Sequence, residues 1–150
     1  MRKISYIDDF TTWKEEFRFS IDIPVRFSET DMFGHVNNVS PFIYFEQARI
    51  EYLKTLDILS SFHDSETVPI VADLQCDYLE QIYFGETIEV FVKIAHVGNS
   101  SIDIHYMGVK KGEGSVCLTG RGRLVNVHRK TGKSVPLSES EKEKLLQVVY

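Results

Sequence analysis

The chain has 150 residues, 43% of them hydrophobic and 26% charged, with ten Phe and seven Tyr. That is the size and composition of one globular domain with a substantial core, and it excludes disordered, collagen-like and coiled-coil classes. A formal net charge of −5 argues against non-specific nucleic-acid binding.

The N-terminus, Met1-Arg2-Lys3-Ile4-Ser5, runs into polar and acidic residues. It reads as neither a signal peptide nor a bilayer-spanning stretch, so the expected location is cytoplasmic with no membrane association. In that compartment Cys76 and Cys117, each in an apolar strand-like segment, are expected to be reduced core residues. The N-x-S/T matches at Asn38 and Asn99 then carry no glycosylation meaning.

Residues 6–16 suggest a short helix. From Phe17 to Ser28 apolar and polar residues alternate, with Phe17, Phe19, Ile21, Ile23, Val25 and Phe27 on one face. This predicts a half-buried strand, and Pro24 puts part of it at an edge or a bulge. A long apolar segment follows, from Pro41 to about Leu59, with Phe42, Phe45, Arg49, Tyr52, Leu53 and Leu56 at helical spacing. Ser40 is placed to cap its first turn, Pro41 suits the first helical position, and a helix this apolar is expected to be enclosed.

Four more strands are expected. Val68, Ile70, Ala72, Leu74, Cys76 and Tyr78 mark one; Ile88 to Ile94 the next; Ile102, Ile104 and Tyr106 another; the last runs from Ser115 to Val127. Gly85, Gly98-Asn99, Gly112 and Gly114 punctuate the connections. Ser138 to Val149 reads as a terminal polar helix. The order is strand, helix, four strands with short connections, which predicts one α+β domain over residues 1–150: an antiparallel sheet of about five strands curled round one long helix. A doubly wound parallel sheet lacks the crossover helices it requires.

The chemistry concentrates in Glu29-Thr30-Asp31-Met32-Phe33-Gly34-His35-Val36-Asn37-Asn38, between the first strand and the helix. Free N–H groups and the dipole at a helix N-terminus favour a developing negative charge. A carboxylate beside them can attack a carbonyl, or activate water to do so, while the donors hold the oxyanion. Asp and Asn before a helix also serve as caps and turn formers, and the residues alone leave both readings open.

Residues 25–49, from Val-Arg-Phe-Ser-Glu-Thr-Asp through Phe-Glu-Gln-Ala-Arg, resemble the signature of hotdog-fold acyl-CoA thioesterases of the 4-hydroxybenzoyl-CoA thioesterase type. Asp77-Tyr78-Leu79 before Phe84-Gly85-Glu86, and Val125-Asn126-Val127 before Thr131-Gly132-Lys133, agree with it, so the similarity spans roughly Phe19 to Pro136. The resemblance implies an antiparallel sheet wrapped round a long central helix. It implies homodimers or dimers of dimers (homotetramers), with active sites at subunit interfaces. It implies hydrolysis of acyl-CoA or acyl-carrier-protein thioesters without metal or cofactor. Asp31 matches the family's catalytic nucleophile or general base, and the N–H that polarises the carbonyl falls at about Asn38. The block His35-Val36-Asn37-Asn38 is also similar to plant acyl-carrier-protein thioesterases, but Phe33 stands where those have an Asn, and Pro41 replaces a common Tyr.

Glu46 reads as a second catalytic carboxylate or as a structural partner of Arg49, and His35 as an orienter of Asp31 or a loop hydrogen-bonder. Gly34 and Asn37 belong to the expected substrate-binding loop; Phe33 and Phe42 are candidates for the acyl channel, with Phe45 and Tyr52 read first as core. Arg121 and Arg123 share a strand face and either reach CoA phosphates or line a solvated edge. Lys110-Lys111 and His128-Arg129-Lys130 add to that basic region. His63, His96, His105 and His128 show no metal-ligand spacing, Gly132-Lys133-Ser134 lacks the first Gly of a phosphate loop, and there is no Gly-x-Ser-x-Gly elbow. A non-catalytic acyl-CoA-binding module is the alternative from another class. Dehydration of acyl chains would need a His–acid pair on the helix, which has Glu46 and no His.

Overall fold

The computed structural model describes residues 2–59 and 65–147. His63 and the end of the C-terminal segment lie outside the described residues. The chain builds α1 (Phe10–Glu15), β1 (Phe19–Pro24), α2 (Ser40–Thr55), β2 (Thr67–Tyr78), β3 (Thr87–Val97), β4 (Ser101–Lys110), β5 (Val116–His128) and α3 (Glu139–Leu145). The strands form one antiparallel five-stranded sheet in the order β1-β3-β4-β5-β2. Short turns after β3 and β4 enforce the central hairpins.

Alternation on the central strands sets the two faces of the sheet. Ile88, Val90 and Val92 of β3, Ile102, Ile104 and Tyr106 of β4, and Leu118 and Leu124 of β5 join Tyr44, Phe45, Ala48, Tyr52 and Leu53 of α2 in the main core. Phe45 is fully buried and stacks on Tyr106, with ring centroids 4.6 Å apart. The approach is close because Gly120 offers no side chain: a Cβ there would sit 2.4 Å from the Phe45 ring. The opposite face is covered by the N-terminal segment, where Ile4, Ile7, Trp13 and Phe17 pack with Met107 in a second cluster.

Several expectations need correcting. The first strand ends at Pro24, because Phe27–Glu29 forms a 3₁₀ turn in which the Glu29 carboxylate accepts from the Arg26 N–H (2.8 Å). Phe27 therefore leaves the sheet and is 75% exposed. The helix spans sixteen residues, Ser40–Thr55, shorter than the segment to Leu59, with Asp57 at φ 54° just beyond its end. It is not enclosed in the protomer, since Ile43, Glu46 and Gln47 form an exposed stripe. Ser40 is not the cap; the Asn37 side chain accepts from the N–H groups of Val39 (3.0 Å) and Ser40 (2.8 Å). Finally, β2 is an edge strand. Most of its apolar residues are not core: Ile70, Val71, Leu74 and Tyr78 stand substantially exposed, while Cys76 is partly buried against the main core.

Cys76 and Cys117 are free thiols, and burial pushes both up to about 12, so neither is a nucleophile near neutral pH. Among the described residues, no helix is long and apolar enough to cross a membrane.

Candidate active site

Between β1 and α2 the chain makes a tight loop held by its own backbone. The Asp31 N–H donates to the His35 carbonyl (2.9 Å), and the Gly34 N–H donates to the Asp31 carbonyl (3.1 Å). Gly34 sits at φ +86°, a conformation that favours glycine. The Asn37 N–H donates to the Glu29 carbonyl (2.9 Å), closing the loop at its base. Glu29 itself is buried, and its carboxylate accepts from the Tyr44 hydroxyl of α2 (3.0 Å). Burial raises the pKa of Glu29, but the Arg26 backbone and guanidinium and the Tyr44 hydroxyl outweigh it and hold the carboxyl below the ordinary value. The loop is thus pinned to the first turns of α2.

This arrangement presents Asp31, His35, Val36, Asn38 and Pro41 to a cavity of about 370 Å³, closed on its other side by Tyr78–Ile82 and Leu118. Asp31 Oδ1 accepts from the Phe33 N–H at 2.9 Å, and Oδ2 lies 3.7 Å from His35 Nδ1. The carboxylate is oriented by its own loop and remains 30% exposed to solvent. His35 is held between the Phe33 ring, stacked at 6.2 Å, and the Tyr83 ring, edge-on at 6.4 Å.

The donors at the start of α2 are almost all occupied. The Asn37 side chain takes the N–H groups of Val39 and Ser40, Pro41 has none, and the Phe42 N–H donates to the Val39 carbonyl. Among the described residues, no acceptor engages the Asn38 N–H. One unpaired backbone donor at a helix N-terminus therefore belongs to a residue lining the same cavity as a carboxylate. Such a pairing suits attack on an acyl carbonyl, with the donor holding the oxyanion.

The remaining candidates fall elsewhere. Glu46 does not line the cavity; its side chain is 62% exposed and only 3.9 Å from Arg49. Phe42 is half-buried, edge-on to Phe45. Phe33, 76% exposed, stacks on His35 and does not line the cavity. Arg121 and Arg123 project from the far face of the sheet, where both bond Asp103 (3.0 Å each) and Arg121 also bonds Asp73 (2.7 Å). Lys110 is buried against Glu86 (3.2 Å), and Lys111 pairs with Asp22. The expected basic region is largely self-neutralised. Among the described residues, no group of three His, Cys, Asp or Glu side chains is arranged to hold a metal.

Two residues at the site carried no role in the sequence reading. Glu29 lies three residues after Arg26, the spacing of a capping pair, and Tyr78 falls in the recognised Asp77-Tyr78-Leu79 piece. Its hydroxyl donates across the cavity mouth to the Asn38 carbonyl.

Comparison with known proteins identifies the family. Residues 25–145 match the model of the thioesterase-like superfamily. The chain belongs to that superfamily. It is 47% identical over 147 residues to the uncharacterized protein YsmA of Bacillus subtilis (strain 168), covering 97% of this chain and 98% of that protein. It is 27% identical over 119 residues to the 1,4-dihydroxy-2-naphthoyl-CoA hydrolase of Rippkaea orientalis, covering 77% and 86% of the two chains. Among solved structures, a thioesterase complexed with coenzyme A and Zn from Thermus thermophilus superposes with a TM-score of 0.74. It shares 32% identity and covers 87% of this chain and 94% of its own. The hotdog-fold thioesterase family expected from residues 25–49 is therefore the right one.

Proposed function

We propose that this superfamily member hydrolyses an acyl-CoA thioester to the free acid and CoA, using Asp31 and the Asn38 N–H. One observation carries the reading: a loop-oriented carboxylate and a residue whose N–H has no partner among the described residues line one cavity at the start of α2. Asp31 attacks the thioester carbonyl, the oxyanion is held by the Asn38 N–H, and collapse expels the CoA thiolate. Water then hydrolyses the acyl–Asp31 anhydride. In the general-base variant Asp31 instead takes a proton from the attacking water. His35 steadies Asp31, and Val36, Pro41, Leu79, Ile82 and Leu118 supply apolar wall for the acyl group.

The CoA carrier is supported by the relatives: one acts on a naphthoyl-CoA and another is complexed with coenzyme A. Such a substrate fits the expected cytoplasmic location. Assembly into a homodimer, or a dimer of two, is supported by the open outer edge of the twelve-residue β2, an unpaired row flanked by exposed Ile70, Val71 and Leu74. A second copy would also cover the exposed stripe of α2, making it the central helix of the expected wrap.

The test is loss of thioester absorbance for short, medium, long-chain and aromatic acyl-CoAs, with wild type beside folded Asp31→Asn. The expected outcome is turnover of at least one substrate that falls by about three orders of magnitude or more in the variant. Turnover unchanged in Asp31→Asn would remove Asp31 from the reaction. Tight binding without hydrolysis across the panel would favour a binding module, and activity on acyl-carrier protein alone would change the carrier.

A further inference from the structure

The free donor at Asn38 is useful only if its peptide keeps one orientation, and the groups around it show how that is arranged. On the chain side, the Asn37 N–H is bonded to the Glu29 carbonyl, and the Asn37 carboxamide oxygen takes the two N–H groups that follow Asn38. The Asn38 N–H lies in the Asn37–Asn38 peptide; in the next peptide, Asn38–Val39, the N–H is held by Asn37 and the remaining group is the Asn38 carbonyl. That carbonyl accepts from the hydroxyl of Tyr78, forty residues away at the last position of β2.

Resting on the thioesterase reading above, we infer that Tyr78 is a positioning residue of this site: its phenol pins the Asn38 carbonyl, and with it the Asn38–Val39 peptide, from across the cavity. This limits rotation about the Asn38 backbone and so keeps the Asn38 N–H, which belongs to the preceding peptide, aimed at the thioester oxygen. Three features make the phenol suited to this. Its backbone is anchored by β-pairing opposite Leu118, whose side chain belongs to the main core and lines the same cavity, so the ring has a rigid base. The ring itself stands at the cavity wall, 45% exposed, so its hydroxyl is not required to fill the core. Burial, reinforced by Cys76, pushes the phenol up to about 12, which keeps the O–H protonated as a donor across the working pH range.

The arrangement also explains why a tyrosine ends an otherwise exposed edge strand. A phenylalanine would provide the same ring and wall without the bond that spans the cavity. Displacing an oxyanion donor by a fraction of an ångström costs transition-state stabilisation while leaving ground-state binding nearly intact.

The experiment compares wild type with Tyr78→Phe, using hexanoyl-CoA and benzoyl-CoA as probes. A positioning role predicts kcat lower by about 10- to 100-fold with KM within about threefold, and a thermal unfolding midpoint close to wild type. In the Asp31→Asn background, difference infrared spectroscopy of each probe ¹³C-labelled at the thioester carbonyl reads the donor without needing turnover. Adding Tyr78→Phe should shift the bound carbonyl stretch toward its free-solution frequency. An unchanged kcat with an unchanged stretch would overturn the inference. So would a rise in KM alone, which would make Tyr78 only a part of the binding wall. If wild type turns over neither probe, the thioesterase reading is in difficulty, and the infrared shift still decides the role of Tyr78 separately.

Discussion

The two faces of the sheet treat their polar groups in opposite ways. On the face covered by the N-terminal segment, polar side chains are matched. Trp13 donates to His105 (2.9 Å), Tyr6 to Thr119 (3.0 Å), and Arg121 and Arg123 share Asp103. On the α2 face, at the end where the loop meets the helix, the Asn38 N–H has no acceptor among the described residues, and Asn38 lines the same cavity as the partly exposed Asp31 carboxylate. Asn38 is exposed, so its N–H is open to solvent or to a bound ligand.

Changes that attack the packing beneath the open site should have the largest effect on stability. Gly120→Ala would push a Cβ to 2.4 Å from the Phe45 ring and 3.1 Å from the Gln75 carbonyl. Overpacking of this kind costs about 1–3 kcal/mol, and chemical denaturation should show a loss in that range; an unchanged midpoint would mean that α2 does not press on β5 as described. Next, Asn37→Ala removes the acceptor for two N–H groups. It should cost about 1 kcal/mol, as loss of an N-cap does, and lower kcat as well, because Val39 and Ser40 would then compete with Asn38 as donors. Loss of stability with kcat untouched would separate the cap from the chemistry.

The closed face should respond to pH. Burial first, then the Lys93 and Arg121 cations, pushes the His105 imidazole down to about 4 from about 6.5. Between those values the unfolded chain binds a proton that the folded chain refuses, so folding stability falls as pH drops from about 6.5 toward 4 and is fully present above that window. Protonation also removes the acceptor that His105 offers to Trp13. His105→Gln should flatten this part of the stability–pH curve, and an unchanged slope would show that other groups produce it. The smallest effect is expected for Arg121→Ala and Arg123→Ala. Solvent screens ion pairs this exposed, so stability should hardly change and KM for an acyl-CoA should stay within about twofold. A large rise in KM would instead mean that these arginines meet the CoA phosphates.

The comparison also separates what the sequence displays from what it conceals. Strands β3, β4 and β5 are legible because period-two alternation reports directly on strands with one face in the main core and the other less deeply buried, and Asp31, His35 and Asn38 are legible because their spacing is dense and their neighbours punctuate a loop. The same alternation misleads at β2, since periodicity reports strand character and not position in the sheet. Only the β2–β5 pairing leaves Ile70 and Leu74 at an edge. Ser40 and Asn37 are both good caps by composition, and the turn geometry before the helix chooses Asn37. Arg121 and Arg123 read as a ligand surface because their partner, Asp103, lies on a different strand. The bond from Tyr78 to Asn38 joins residues forty positions apart and has no local signature at all.

The most direct test of the account is a crystal structure of Asp31→Asn with a bound, intact acyl-CoA. The account predicts the thioester carbonyl oxygen within about 3 Å of the Asn38 N–H, with the residue-31 side chain facing the carbonyl carbon and the acyl group against Val36, Ile82 and Leu118. A thioester carbonyl directed away from Asn38, or an acyl-CoA seated on the Arg121–Arg123 face, would contradict it.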